Sequence, residues 1–384
     1  MRTRYSSVSC AARAFLFALL AGVVFQAPAE DTNHQKSIDG GVTVYFNDFE
    51  RDAPGEEWSS RATDVTPKGN RKFLGQFGCE SVTLGLSKLA EHECLRVSFE
   101  LYMIGDWDGS SPLWGPDIID FGVVGRPLFL HTNFCNCGFF NDNNEQAFPD
   151  PYPCRPHPGW TGCHEQQTLG YIRSWGGPDR TFVTDSVYRF SFTFPHDEAK
   201  LKLKWTSHST EKIEHESWGL DNVRVEIVPP AKLRDEKLAE LWNDLALDGE
   251  DAIRGFHALW SLVAAGDRAV EFLQQQYAED RKYDEQAVAQ WIADLDFAEF
   301  TKRQSASRKL SALGRCLIVP LKAALAGTQS AEVRARLESL LNDLTAARPD
   351  QLRAARVLAA LDAMDTAAAK KLRARLPDVP FPKE

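Results

Sequence analysis

LRVSFELYM, residues 95–103, sets Leu95, Val97, Phe99, Leu101 and Met103 at every second position, with Arg96, Ser98, Glu100 and Tyr102 between them. Successive side chains of an extended chain point to opposite faces, so this alternation predicts a strand with one apolar side. The same period runs outward in both directions: Val42, Val44 and Phe46; Val82, Leu84 and Leu86; Ile119, Phe121 and Val123; Tyr188, Phe190, Phe192 and Phe194; Leu201, Leu203 and Trp205; Val223, Val225 and Ile227. One-sided strands broken by Gly, Pro, Asn and Asp have to bring their apolar faces together, and two stacked antiparallel sheets do so. Residues 42–228 are therefore expected to form an antiparallel β-sandwich of jelly-roll or lectin-like type.

Beyond Val228-Pro229-Pro230 the period changes. Leu238, Leu241, Trp242 and Leu245 follow the spacing of one helix face, as do Val288, Trp291, Ile292 and Leu295, and then Val333, Leu337, Leu340, Leu341 and Leu344. The diproline cannot continue a ladder and marks the boundary. Asp248, Asp284 and Ser330 are expected N-caps and Gly266, Gly314 and Gly327 expected stops, cutting residues 232–376 into short helices in series, the pattern of an α-solenoid.

At the other end, Arg2, Arg4 and Arg13 precede the 11-residue apolar run FLFALLAGVVF at 15–25, and Ala27-Pro28-Ala29 comes directly after it. A basic start, a short apolar run and small residues define a signal peptide over 1–29, with cleavage before Glu30. The expected location is secreted or periplasmic, in the cell envelope. The run is shorter than the roughly 20 residues a spanning helix needs, and no later stretch is long and uncharged enough, so no membrane span is expected in the mature protein. A net charge of −10 argues against a nucleic-acid partner, which needs a basic face. Between residues 30 and 231 there are 18 Lys and Arg against 30 Asp and Glu; after residue 231 there are 23 against 24. The acidic excess belongs to the strand-forming region and directs attention to cations.

Cys79, Cys94, Cys135, Cys137, Cys154 and Cys163 all lie in that region, an even number in a chain expected to meet an oxidising compartment, so disulfides are expected. A bridge from Cys79 to Cys94, and bridges from Cys135 and Cys137 into the loop holding Cys154 and Cys163, would order the aperiodic stretch 133–167. A zinc site is the weaker reading, because the cysteine spacings fit structural zinc poorly.

Three acidic clusters offer hard oxygens for calcium. Asp48 and Glu50 lie at the first strand and Asp221 at the last, and first and last strands are often neighbours in a jelly roll, so these three form one candidate structural site. Asp106, Asp108 and Asp117, with Glu216, form a second candidate for a metal or a ligand. Trp107, Trp114, Trp160 and Trp175 fall outside the alternating positions and are candidate ligand-binding aromatics. For catalysis, two of Asp106, Asp108, Asp117 and Glu216 would suffice as acid and base of a glycoside hydrolase or lyase, but no strand shows a Glu-x-Asp-x-x-Glu pattern. Ser110, Ser111 and Ser217 lack a nucleophile-elbow context.

The fragments NDFE, LGQFGCESVTLGL, LRVSFELYMIGDWDG, GPDIIDFGV, DSVYRFSFTFPH and ESWGLDNVRV, in this order, resemble a β-sandwich module recurrent in exported planctomycete and other bacterial proteins, similar to lectin-like and carbohydrate-binding jelly rolls. In related jelly rolls a calcium joins first and last strands, which agrees with the set Asp48, Glu50 and Asp221. The stretch beginning LAELWNDLALDGEDAIRGFHALWSLVAAGDRAVEFL resembles the HEAT-like helical region that planctomycete proteins carry after WD-repeat propellers, and implies a scaffold rather than chemistry. The basic residues Arg334, Arg336, Arg353, Arg356, Lys370, Lys371, Arg373 and Arg375 then read as a solvated face.

The leading expectation is an exported, non-enzymatic binding and scaffold protein. Its calcium-stabilised sandwich recognises a glycan or cell-surface component, and its helical domain meets a protein partner. An enzyme acting on extracellular polysaccharide, and a purely structural envelope protein, are the alternatives.

Overall fold

A computed structural model describes residues 41–51, 53–136, 145–154, 157–174, 180–209, 211–279, 283–313, 317–345 and 348–382. The signal segment 1–29, Cys137, Trp175 and the expected helix stop Gly314 lie outside them. The described strands are β1 (Val42–Asn47), β2 (Thr63–Val65), β3 (Lys72–Phe77), β4 (Ser81–Ser87), β5 (Cys94–Gly105), β6 (Ile118–Val123), β7 (Leu130–Asn133) and β8 (Glu145–Gln146). After them come β9 (His157–Pro158), β10 (Glu165–Gln166), β11 (Ile172–Ser174), β12 (Thr181–Val183), β13 (Asp185–Pro195), β14 (Lys200–Ser207) and β15 (Glu216–Val228).

A larger antiparallel sheet is ordered β10-β13-β5-β15-β3-β2, with β1 also pairing with β15, and a smaller one β4-β14-β6-β7. Phe99 of β5 and Phe190 of β13 sit opposite each other in register and present their rings to the smaller sheet. There Phe121 and Trp205 lie 4.8 and 5.4 Å from Phe99, centroid to centroid. Each such aromatic pair contributes about 0.5–1.5 kcal/mol beyond its buried area.

One strand departs from the alternation read in the sequence. A bulge between Thr43 and Tyr45 turns Tyr45 toward the core beside Val44, and Trp58 Nε1 donates to its hydroxyl at 2.6 Å. Val42 and Phe46 are left 59% and 37% exposed, with the Arg224 guanidinium over the Phe46 ring. An extra residue in one strand reverses the facing of the residues beyond it, so a period-2 reading fails there.

The described helices are α1 (Asp235–Asp244), α2 (Ala252–Ala265), α3 (Asp267–Glu279), α4 (Glu285–Asp294), α5 (Phe300–Leu313), α6 (Ile318–Gly327), α7 (Ala331–Thr345), α8 (Arg348–Met364) and α9 (Ala367–Arg373). Asp284 caps α4 by accepting from Gln286 and Ala287 N–H, Ser330 Oγ accepts from Val333 N–H, and Gly266 ends α2 at φ 53°. Asp248 caps a short 3₁₀ turn before α2.

These helices do not stand apart from the strands. Helices α1, α2, α3, α8 and α9 share one apolar core with both sheets, whereas α4 to α7 enclose a second core around Leu310, Leu321 and Leu337. Trp260 of α2 meets Phe192 at 4.5 Å and Phe129 at 5.0 Å. Helix α8 returns across the intervening helices to pack on α2, a contact that a strict neighbour-on-neighbour array does not make. Arg356, expected on a solvated face, is instead 1% exposed: its guanidinium lies against Gly255, where a Cβ would come 2.2 Å from Nη1. Glycine inside a helix costs about 1 kcal/mol relative to alanine, and here it makes the room that the buried cation occupies. The protein is thus a mixed β plus α structure, with antiparallel sheets in the front half and helices in the back half.

Where β13 ends, two buried histidines meet. His92 Nδ1 lies 2.6 Å from the Ala90 carbonyl, which can only accept, and His92 Nε2 lies 2.8 Å from His196 Nδ1. Burial, then the charge of Arg126 and the neighbouring His92, push the pKa of His196 down from 6.5 to about 4. Between these values the unfolded chain takes up the proton more readily. Stability from this group is therefore complete above pH 6.5 and is lost as pH falls toward 4. Thermal melts over this range should show a steeper decline for the wild type than for His196→Gln. Parallel declines would show that His196 does not carry this pH dependence.

Candidate functional site

Three chain segments converge at one end of the two sheets: the exit of β5, the entry to β6 and the entry to β15. Gly105 closes β5 at φ 93°, where a Cβ would lie 1.8 Å from the His215 carbonyl oxygen. Only glycine lets the chain pass so close, and Asp106 N–H then bonds to that same carbonyl at 3.0 Å. Trp107 comes next, fully buried, its Nε1 donating to the carbonyls of Ile104 and Ser217 at 3.1 and 3.0 Å.

From this anchor residues 109–116 loop outward. Ser111 N–H donates to the Asp108 carbonyl and Gly115 N–H to the Ser111 carbonyl, both at 3.1 Å. Ser111 Oγ accepts from the N–H groups of Leu113 and Trp114 at 3.3 Å. The loop closes at its base, where Asp108 N–H donates to Asp117 Oδ2 at 3.0 Å. At its tip Leu113 and Trp114 are 81% and 64% exposed.

Behind the loop, Asp108, Asp117 and Glu216 each direct an oxygen to one point, all within 4.8 Å of one another. Asp117 and Glu216 are each 1% exposed. Ser209 Oγ donates to Glu216 Oε2 in a short hydrogen bond, and Glu216 Oε1 is buried with no hydrogen-bond partner. Burial raises the pKa of both Asp117 and Glu216 above the usual carboxylate range. Hydrogen bonds to Asp117 oppose its rise, whereas the Asp117 charge lifts Glu216 further. Two ionised carboxylates are both acceptors and cannot bond to each other, so either a proton or a cation has to mediate between them.

Of the four acidic residues expected in this set, Asp106 stands aside. Arg173 holds it, with Nε 3.2 Å from Oδ1 and Nη2 3.3 Å from Oδ2, while Nη1 donates to the Glu214 carbonyl. The other candidate set, Asp48, Glu50 and Asp221, is not gathered, although β1 and β15 are neighbours with Asn47 opposite Val223. Asp48 Oδ1 accepts from Glu50 N–H, and Glu50 Oε1 accepts from Lys72 N–H at the start of β3. Asp221 precedes a bulge in β15 and accepts from the Tyr102 hydroxyl at 2.7 Å; burial, with the charges of Glu100 and Glu50, raises its pKa to about 7.

Among the aromatic candidates Trp107 is core, Trp160 is partly buried at φ 63°, and Trp114 alone of the three described reaches well into solvent. No disulfide joins two described cysteines. Cys94 is buried opposite Pro195 and Val228, its thiol pKa raised to about 11 by burial, while Cys79 Sγ faces the Ser207 carbonyl, so the expected bridge between them is not formed. Among the described residues after β7, two buried amides hold the chain. Asn136 Nδ2 donates to the Met103 and Gly105 carbonyls, and Gln146 Nε2 to those of Phe148 and Thr161. Ser209 is an additional member of the site and Arg173 the residue that holds Asp106 apart from it, and nothing local in the sequence marks either as a neighbour of the acidic residues.

No protein-family model matches the chain, and no curated protein matches it. Among solved structures, dimeric latent PorU from Porphyromonas gingivalis is 12% identical with a TM-score of 0.26, over 51% of this chain and 13% of that one. The carbohydrate-binding module CBM6cm-2 of Cellvibrio mixtus lichenase 5A, solved with cellotriose, is 11% identical with a TM-score of 0.22, over 48% of this chain and 97% of that one. The Cry4Aa toxin from Bacillus thuringiensis is 8% identical with a TM-score of 0.22, over 47% and 22%. The chain therefore spans about an eighth of PorU, and these distant likenesses carry no functional assignment. Among the described residues no helix is long and apolar enough to cross a membrane.

Proposed function

We propose that the protein is an exported, non-enzymatic binding and scaffold protein, whose front half is a jelly-roll-type module that contacts a glycan or cell-surface component through the loop 109–116. The supporting observation is the division of labour at that loop. Leu113 and Trp114 stand in solvent, while Asp117 and Glu216, two of the four acidic candidates for acid and base, are 1% exposed behind it. A general acid has to come within hydrogen-bond reach of the bond it protonates, and these two are walled off from a polysaccharide. An exposed ring beside an aliphatic side chain offers a flat apolar platform of the kind on which sugar faces stack. The HEAT-like helical half supplies a second surface for a protein partner, where Phe297 and Phe300 are 43% and 56% exposed beside Lys302 and Arg303.

The test is a glycan array probed with the full chain and with Trp114→Ala. Binding should weaken at least about tenfold in the variant, equivalent to about 1.4 kcal/mol, with an unchanged melting temperature. Release of reducing ends from the bound glycan should stay at background. Turnover abolished by Asp117→Asn would replace this reading with the enzymatic one, and silence on every glycan and surface tested would favour the purely structural one.

A further inference from the structure

We propose that Asp108, Asp117 and Glu216 hold a calcium ion at the base of the loop 109–116. This goes beyond the binding reading, because the ion is expected whatever the loop touches. Three carboxylates converge within 4.8 Å, and Glu216 Oε1 is buried and accepts no hydrogen bond from a protein N–H or hydroxyl. A buried acceptor left unsatisfied is costly, and a fold that closes around one has a reason on the other side of the site.

A proton between Asp117 and Glu216 is the alternative occupant. It neutralises one carboxylate and leaves the other beside Asp108, with Glu211 adding to the negative field at Asp117. A divalent cation offsets two charges and satisfies all three oxygens together. The donors are hard oxygens, with no nitrogen or sulfur in the group, so the ion belongs to the calcium and magnesium class. Magnesium demands near-ideal octahedral geometry and retains several waters, for which two nearly solvent-free carboxylates leave little room. Calcium accepts irregular and bidentate carboxylates. Each ligand comes from a different segment end: Asp108 lies just past β5, Asp117 precedes β6 and Glu216 opens β15. One ion therefore ties together three chain segments, two of them framing the exposed loop.

The measurement is calcium binding by titration calorimetry, with thermal melts, on the full chain stripped of metal. Wild type should bind one calcium saturably and melt several degrees higher in calcium than in chelator, with magnesium giving a smaller rise. Glu216→Gln and the partly exposed Asp108→Asn should each weaken binding at least about tenfold while keeping the far-ultraviolet spectrum of the wild type. Asp108→Asn serves if Glu216→Gln fails to fold. Equal melting in calcium and chelator without binding heat overturns the proposal, as does binding that survives both substitutions. A Trp114→Ala variant that loses its glycan but keeps calcium separates failure of the two readings.

Discussion

Arg356→Ala is expected to destabilise the protein by about 3–5 kcal/mol, the range for breaking a buried ion pair by removing one partner. The guanidinium is 1% exposed and fully engaged. Nε and Nη2 donate to Asp150 Oδ1 at 3.2 and 2.8 Å, and Nη1 donates to the Leu245 and Leu247 carbonyls at 2.9 and 2.6 Å. Asp150, itself 3% exposed, meets His157 through its other oxygen at 3.1 Å. Alanine would leave a buried carboxylate facing His157 alone and strip two carbonyls of a donor. Pairing Arg356→Met with Asp150→Leu should recover much of the loss, because it removes both charges and refills the volume. Urea denaturation of wild type, the two single variants and the pair measures this cycle. A loss under about 1 kcal/mol for Arg356→Ala would mean that water reaches the pair.

Trp260→Ala should cost a similar amount, about 3–5 kcal/mol, through the cavity it opens. Its ring is 6% exposed and wedged between Phe192 of the larger sheet and Phe129 beside the smaller one. The indole belongs to α2 and its partners to the strand region, so near-ultraviolet signals of the strand-region aromatics and far-ultraviolet helix signals should lose stability together. If only the helix signal shifted, the strand and helix regions would be energetically separate despite their shared core.

Most of the strands of the antiparallel sheets were legible in the sequence, because a strand with one wet face writes its orientation into every second residue. Strand β1 was not, since a bulge inserts Tyr45 into the alternation and leaves no signature in hydrophobic periodicity. Arg356 escaped for a related reason. Helical spacing puts it on a face but does not say that Asp150, 206 residues earlier, arrives against that face.

The site was legible as a cluster of chemistry and not as a set of ligands. Asp108, Asp117 and Glu216 converge because β5, β6 and β15 bring their ends together, while Asp106, two residues from Asp108, is taken by Arg173, 67 residues away. The neighbourhood of the first and last strands was also legible, yet Asp221, before a bulge, accepts from the Tyr102 hydroxyl, and Asp48, Glu50 and Asp221 are not gathered into one group. Trp107 reads as a loop residue, but two carbonyls accept its indole N–H in the interior. The cysteines invited a covalent explanation of residues 133–167; among the described residues there, the buried amides of Asn136 and Gln146 bond to partners distant in sequence.

A crystal of the protein grown in calcium and measured at a wavelength where calcium scatters anomalously tests the central claim most directly. An anomalous peak within about 2.3–2.6 Å of oxygens from Asp108, Asp117 and Glu216 is the expected result. An absent peak, with Asp117 and Glu216 closed on each other at the spacing of a shared proton, would contradict it.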